Sequence, residues 1–148
     1  MSSTTGSYSS SKIHERAPSR TALTIPTIAP PNGKYSHSNT IPSNRSTVYL
    51  CGLMGELPGD GRIISGGVAA QTTQIMRNLK AILQASGSGL DKVVQRRVFL
   101  VDMEDLKTVE RIWGEWVKEP FPVSTCVQIV RLAKEAAKVE IEVIAETN

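Results

Sequence analysis

The chain has 148 residues, 40% of them hydrophobic, which leaves room for one domain. No apolar run approaches the roughly 18 residues of a membrane span, and no Cys/His spacing forms a metal-ligand pattern, so neither a membrane partner nor a metal is expected. The net charge of +3 does not mark a nucleic-acid protein, because residues 1–45 hold Lys12, Arg16, Arg20, Lys34 and Arg45 against Glu15, whereas the remainder holds 12 basic and 13 acidic side chains.

Residues 1–20 are Ser-rich and lack apolar periodicity, so they read as a disordered extension ahead of a single domain at 21–148. A mitochondrial transit peptide is the alternative, since the segment carries Arg and one acid, but it has no amphipathic pattern. Cys51 and Cys126 both sit in apolar strand-like text, which points to buried thiols in a reducing, cytoplasmic setting rather than to a disulfide.

Thr21 to Pro26 can form a short edge strand, and Pro30-Pro31-Asn32-Gly33 is a turn signal. Tyr35 to Met54 reads as strand, turn, strand, with Pro42 to Arg45 at the tip and Thr47 to Leu53 as the second arm. Leu57 to Gly61 is a loop, and Ser65-Gly66-Gly67 leads into a helix over Val68 to Ala85. Its apolar stripe is Val68, Ile75, Leu79, Ile82 and Leu83, with Gln71, Gln74, Asn78 and Lys80 mostly off it, and Gly87 suits the C-terminal cap.

Asp91 to Val101 alternates and is β-branched, a strand despite the interruption Gln95-Arg96-Arg97. Asp102 suits the N-cap of a second helix to about Val117, with Leu106, Val109, Ile112, Trp113 and Trp116 as its apolar positions. Both tryptophans read more simply as core or subunit contacts than as ligand-stacking rings. Phe121 to Glu142 then reads as a hairpin carrying polar groups inward, with strands over Val123 to Leu132 and Val139 to Ala145. In the second, Glu140 and Glu142 alternate with Val139, Ile141 and Val143; a carboxylate there is either solvated or held in a pocket, where burial raises its pKa toward values useful for proton transfer.

The resulting order is βββαβαββ, an α+β architecture with two helices on one face of a mixed sheet. The other face, carrying alternating Val and Ile from the last two strands, would form an apolar patch too large for a monomer.

Pro122-Val123-Ser124-Thr125-Cys126-Val127, Arg131-Leu132-Ala133-Lys134 and Val139 to Ala145 resemble the C-terminal signature of the Rid family, the reactive intermediate deaminases, also called YjgF or RidA proteins. The likeness continues upstream through Tyr35-Ser36, Gly52, Gly66-Gly67, Ala70-Gln71-Thr72, Asn78 to Ala81 and Val98 to Asp102, covering residues 22 to 146. It implies a chorismate-mutase-like fold, a homotrimer with pockets at the subunit interfaces, a small-molecule substrate and no cofactor. It also implies that Glu140 positions a hydrolytic water and that Cys126 lines the pocket.

The departures from that pattern bear on function. The arginine of the family's P-A-R-S-C stretch, which clamps a substrate carboxylate, falls on Ser124, so the charged clamp is missing. The Asn before the second helix's aromatic becomes Glu110, the Gln of S-G-Q becomes Leu53, and G-P-Y-S-Q becomes Gly33 to His37. Candidate catalytic residues are therefore Glu140, Tyr35 and His37, and candidate substrate-binding residues are Ser124, Cys126, Gly52, Leu53 and Glu110. Plainer readings stand beside them: a solvated strand carboxylate for Glu140, a small buried hydrophobe for Cys126, a loop histidine for His37 and a helix-surface charge for Glu110.

Three functions compete. The first is a divergent enzyme on a reactive carbonyl, enamine or imine compound, performing an isomerisation, cyclisation or condensation in a specialised pathway, as loss of the clamp and gain of Leu53 suggest. The second is the family's hydrolysis of enamines and imines to a ketone and ammonia. The third is a ligand-binding or chaperone-like trimer without chemistry.

Overall fold

The computed structural model describes residues 20–147. Most of the Ser-rich extension therefore lies outside the described residues, but its last residue belongs to the body. Arg20 is buried: its backbone N–H donates to Glu146 Oε1 at 3.1 Å, and its guanidinium donates to the carbonyls of Asp91 and Pro120. A single arginine in polar text gives no sign of the carbonyls it caps.

The elements follow the expected order: β1 (Thr21–Leu23), β2 (Ser38–Thr40), β3 (Thr47–Tyr49), α1 (Gly67–Ala85), β4 (Val93–Leu100), α2 (Leu106–Trp116), β5 (Val123–Gln128) and β6 (Val139–Glu146). Gly66 and Gly67 both have positive φ, +106° and +73°, a left-handed entry into α1 that a side chain would strain. At the other end Ser88 N–H reaches Leu83 O at 2.8 Å across Gly87, which closes the helix as a glycine cap does. Asp102 accepts from Glu104 N–H at 3.0 Å and starts the turn that leads into α2.

Ile75, Met76, Leu79 and Leu83 of α1 and Val109, Ile112 and Trp113 of α2 pack on Val93, Val98 and Leu100 of β4 and on Val139, Ile141 and Val143 of β6. This is the main core. The buried arc of α1 is wider than its apolar stripe and includes Gln71 and Gln74, which the sequence pattern puts outside it. Gln71 is tolerated because both ends of its amide are used: Nε2 donates to Ala136 O at 2.9 Å, and Oε1 accepts from Lys138 N–H at 2.8 Å.

Strand pairing departs from the sequence reading in three ways. A four-stranded mixed sheet runs β3-β6-β4-β5, and β1 and β2 form a separate ribbon. First, β5 and β6 are not a hairpin: β4 lies between them, with Val98 opposite Cys126 in parallel register and opposite Ile141 in antiparallel register. Second, β2 pairs with β1 rather than with β3. Third, the arm drawn over Thr47 to Leu53 is formal strand only to Tyr49, although Leu53 rejoins β6 through reciprocal 2.9 Å bonds with Ile141.

These pairings decide which side chains share a face. Val139, Ile141 and Val143 lie under the helices, so the apolar row expected to be uncovered on β6 is core. Glu140 and Glu142, expected to point inward, face away from the helices, and Arg97 of β4 reaches Glu142 there at 2.9 Å. Among the exposed apolar side chains are Tyr49 at 75%, next to Ile144 of β6, and Val127 on β5 at 40%.

Candidate functional site

A cavity of about 270 Å³ opens between the edge strand β5, the first half of α2 and the loop before β2. Asn32, Gly33 and Tyr35 line it from the loop, Met103, Leu106 and Glu110 from the helical side, and Arg96, Ser124 and Cys126 from the sheet. The loop is pinned in place by Ser36, whose N–H donates to Pro122 O at 3.0 Å and whose hydroxyl donates to Phe121 O at 2.8 Å. Tyr35 is thereby delivered beside β5, with its hydroxyl donating to Asn32 Oδ1 at 2.9 Å.

The floor of this cavity is charged, which the sequence reading missed. Arg96 is only 1% exposed, and its Cα is the register partner of Ser124 across the parallel β4/β5 pair. Nε donates to Ser124 Oγ at 2.9 Å, Nη2 donates to Glu110 Oε1 at 2.5 Å, and the guanidinium carbon lies 4.5 Å from the centre of the Trp113 ring. Burial works against the charged form of Arg96, and Glu110 offsets that cost. The Cys126 thiol, on the same face, is pushed up chiefly by burial and also by Glu110, with Arg96 pulling the other way. It stays a neutral thiol rather than a nucleophile near neutral pH.

One signal in the sequence pointed to Arg96. With a period of two, Arg96 falls in phase with the buried Val94, Val98 and Leu100, not with the outward Gln95 and Arg97. A lone arginine on the apolar phase of a strand needs a partner. Leu106, Glu110 and Trp113 of α2 share the helix face that supplies one.

Glu140 belongs to a different place. It lies on the helix-free face of the sheet, half-buried, with its side chain laid across Gly52; a Cβ at Gly52 would sit 1.8 Å from Glu140 Oε1 and 2.7 Å from its carboxyl carbon. The absence of a side chain at Gly52 is what gives the carboxylate this seat. The proton affinity of Glu140 is raised, first by burial and then by the carboxylates of Glu142 and Glu56. Both of those neighbours hold cations of their own, Arg97 at 2.9 Å and Lys134 at 2.6 Å.

Because the folded state holds the Glu140 proton more tightly than the unfolded chain does, stability falls as pH rises from the ordinary value of 4.5 through the raised one. Above that window the loss is complete. Glu140→Gln is therefore expected to melt above wild type at pH 7 and to lose this advantage below about pH 4. Thermal scans at the two pH values check it, and an equal or lower Tm for the variant at pH 7 would count against the raised affinity.

Of the candidates taken from the sequence, Tyr35, Ser124, Cys126 and Glu110 converge on the cavity, and Gly52 and Glu140 converge with each other on the opposite face of the sheet. Leu53 joins neither group. It is 7% exposed and packs in the core, because its bridge to Ile141 turns it toward the helices. His37 does not line the cavity either: Nδ1 accepts from Ile25 N–H at 2.8 Å, and Nε2 lies 3.0 Å from Ala29 O, so the ring ties together the loop after β1. Among the described residues no group of three His, Cys, Asp or Glu could hold a metal ion, and no helix is long and apolar enough to cross a membrane.

The model of a family described as Endoribonuclease L-PSP matches residues 11–147. A human protein named 2-iminobutanoate/2-iminopropanoate deaminase is 36% identical over 99 residues, 67% of this chain and 72% of its own. Reactive Intermediate Deaminase A, chloroplastic, of Arabidopsis thaliana is 37% identical over 109 residues, covering 74% of this chain and 57% of that protein. Among solved structures, RidA from an Antarctic Psychrobacter superposes with a TM-score of 0.64 at 30% identity over 84% of this chain and 98% of its own. The Yersinia pestis Rid-family protein YyfB, of unknown function, superposes with a TM-score of 0.74 at 25% identity over 85% and 97%.

Proposed function

The chain belongs to the Endoribonuclease L-PSP family, which takes in the RidA/YjgF proteins, and from that premise we propose that it is an enzyme hydrolysing a reactive imine or enamine of small size. The observation that carries this reading is the carboxylate of Glu140 laid over Gly52, half-buried and with raised proton affinity. A carboxylate so placed can take a proton from water as the oxygen adds to the carbon of a C=N bond. That proton passes to nitrogen to give a carbinolamine; the carboxylate then carries the hydroxyl proton to nitrogen as the C–N bond breaks, and a ketone or aldehyde and ammonia leave. An enamine enters this sequence after a proton shift to the imine. The curated human relative is named for deamination of imino acids of this kind.

Glu140 and the cavity lie on opposite faces of one sheet, so a single chain does not bring the base to the pocket. A second copy supplies the missing half if its sheet face meets the cavity edge of its neighbour. Such a contact, repeated head to tail between two different surfaces, closes as a ring when its rotation allows, and three copies suffice. We take the working form to be a homotrimer, in line with the family resemblance and with the exposed Tyr49 and Val127 on that face. Light scattering at micromolar concentration is expected to give three times the 16.1 kDa chain mass. A stable monomer would remove the composite site.

A second reading, isomerisation or condensation of a carbonyl compound, uses the same base without water. The Arg96–Glu110 pair favours it, since the floor of the pocket differs from that of an imino-acid site. The test is ammonia release from enzymatically generated imines, acidic and neutral, with the wild-type protein against buffer. Acceleration of either supports hydrolysis; no acceleration of any imine, with turnover of a carbonyl substrate, would move the second reading ahead.

A further inference from the structure

We propose that the recognition arginine of this pocket is Arg96, supplied by β4 in place of a residue on β5, and that Glu110 is a resident carboxylate which makes the pocket select substrates without a carboxylate of their own. The proposal rests on the reading of the cavity as the substrate site. Its first support is the register. Arg96 and Ser124 are Cα partners on adjacent parallel strands, so the guanidinium reaches in front of Ser124 from the neighbouring strand, and Nε donates to Ser124 Oγ at 2.9 Å.

The second support is how the donors of Arg96 are spent. A planar guanidinium grips a carboxylate best along one edge, with two parallel N–H groups. In this pocket the Nε/Nη2 edge is already taken, by the Ser124 hydroxyl and by Glu110 Oε1 at 2.5 Å. Nη1 is buried, makes no hydrogen bond among the described residues, and belongs to a side chain that lines the cavity. A buried donor without a partner is costly, and this one leaves the guanidinium with unspent hydrogen-bonding capacity but no free two-donor edge for a carboxylate.

The third support is charge. One cation already faces one anion, and Glu110 is held in turn by Lys34 N–H at 3.4 Å. A substrate carboxylate would place a second anion against a single guanidinium in a partly enclosed site, where like charges repel strongly. A carbonyl or amide oxygen brings no charge to the guanidinium and so escapes that penalty. The ligand class that fits is a small carbonyl or imine compound with an uncharged polar group where imino acids carry a carboxylate.

Pyruvamide and pyruvate, nearly equal in shape and different in charge, test this by calorimetric titration of the wild-type protein and of Glu110→Gln. Glutamine keeps an acceptor for Nη2 and removes the charge. Wild type is expected to bind pyruvamide more tightly than pyruvate, and Glu110→Gln to bind pyruvate at least about 10-fold more tightly than wild type does, as a charged hydrogen bond gained in a buried site implies. Adding Arg96→Met to Glu110→Gln is expected to abolish that gain. A wild type that prefers pyruvate overturns the proposal even if no variant folds, and so does binding of neither probe. A pyruvate gain that survives Arg96→Met overturns the assignment of Arg96. Ammonia release separates the two readings: the probe preference without hydrolysis leaves this inference standing and sinks the catalytic one, and hydrolysis with the preference reversed does the opposite.

Discussion

Replacing Arg96 by alanine is expected to destabilise the fold by about 3–5 kcal/mol, the range found when one partner of a buried ion pair is removed. Three losses coincide at this side chain. Glu110 is left on the cavity wall without its cation, the Trp113 ring loses the guanidinium stacked on it, and a space remains where a 1% exposed side chain stood. In a domain of this size the change should lower Tm by roughly 10–20 °C, and urea or thermal melts would show it. The double replacement Arg96→Met with Glu110→Leu is expected to recover most of the loss, because it removes both charges and keeps the volume. A single-variant loss below about 1 kcal/mol would mean that water reaches the pair and that the arginine is not buried in solution.

The second large effect is on turnover. Glu140→Gln should lower kcat for imine hydrolysis by roughly 100- to 10,000-fold, the usual contribution of a positioned acid–base group, while leaving the fold intact. Gly52→Ala should act in the same direction without touching the carboxylate chemically. Its Cβ would need the space 1.8 Å from Glu140 Oε1, so the side chain of Glu140 must swing off its seat. Ammonia-release assays on both variants separate this from a general loss of structure, since neither residue belongs to the helix-packed core. A Glu140→Gln variant within threefold of wild type would show that some other group handles the proton.

The two effects occupy opposite faces of one sheet, and that separation is the main thing the pattern of residues did not convey. Glu140 was legible as a chemically notable carboxylate from its place between Val139 and Ile141, and Tyr35, Ser124, Cys126 and Glu110 from the positions at which the chain follows or leaves the Rid pattern. Arg96 is hard to see because Gln95-Arg96-Arg97 reads along the chain as one polar interruption. Taken singly, only Arg96 lies in the buried phase, while Arg97 faces out to Glu142. Leu53 stands at a pocket position of the Rid pattern, yet its bridge to Ile141 turns it into the core. The buried Gln71 shows a similar limit, for nothing along α1 tells that the loop around Ala136 and Lys138 will cover it and satisfy its amide.

By itself the sequence determined what depends on neighbours along the chain: the order βββαβαββ, the glycine-bracketed first helix, the Asp102 start of the second, and the alternation that puts Glu140 opposite in phase to Val139 and Ile141. The tertiary structure decided which strands meet. Placing β4 between β5 and β6 set Arg96 beside Ser124, hid the apolar row of β6 under the helices, and put Glu140 on the far side from the cavity. The physical reason is that helix caps and strand phase are settled by contacts a few residues apart. The choice of strand partner, by contrast, joins segments 15 or more positions distant, and 28 or more within the four-stranded sheet, through backbone bonds that any sequence can make.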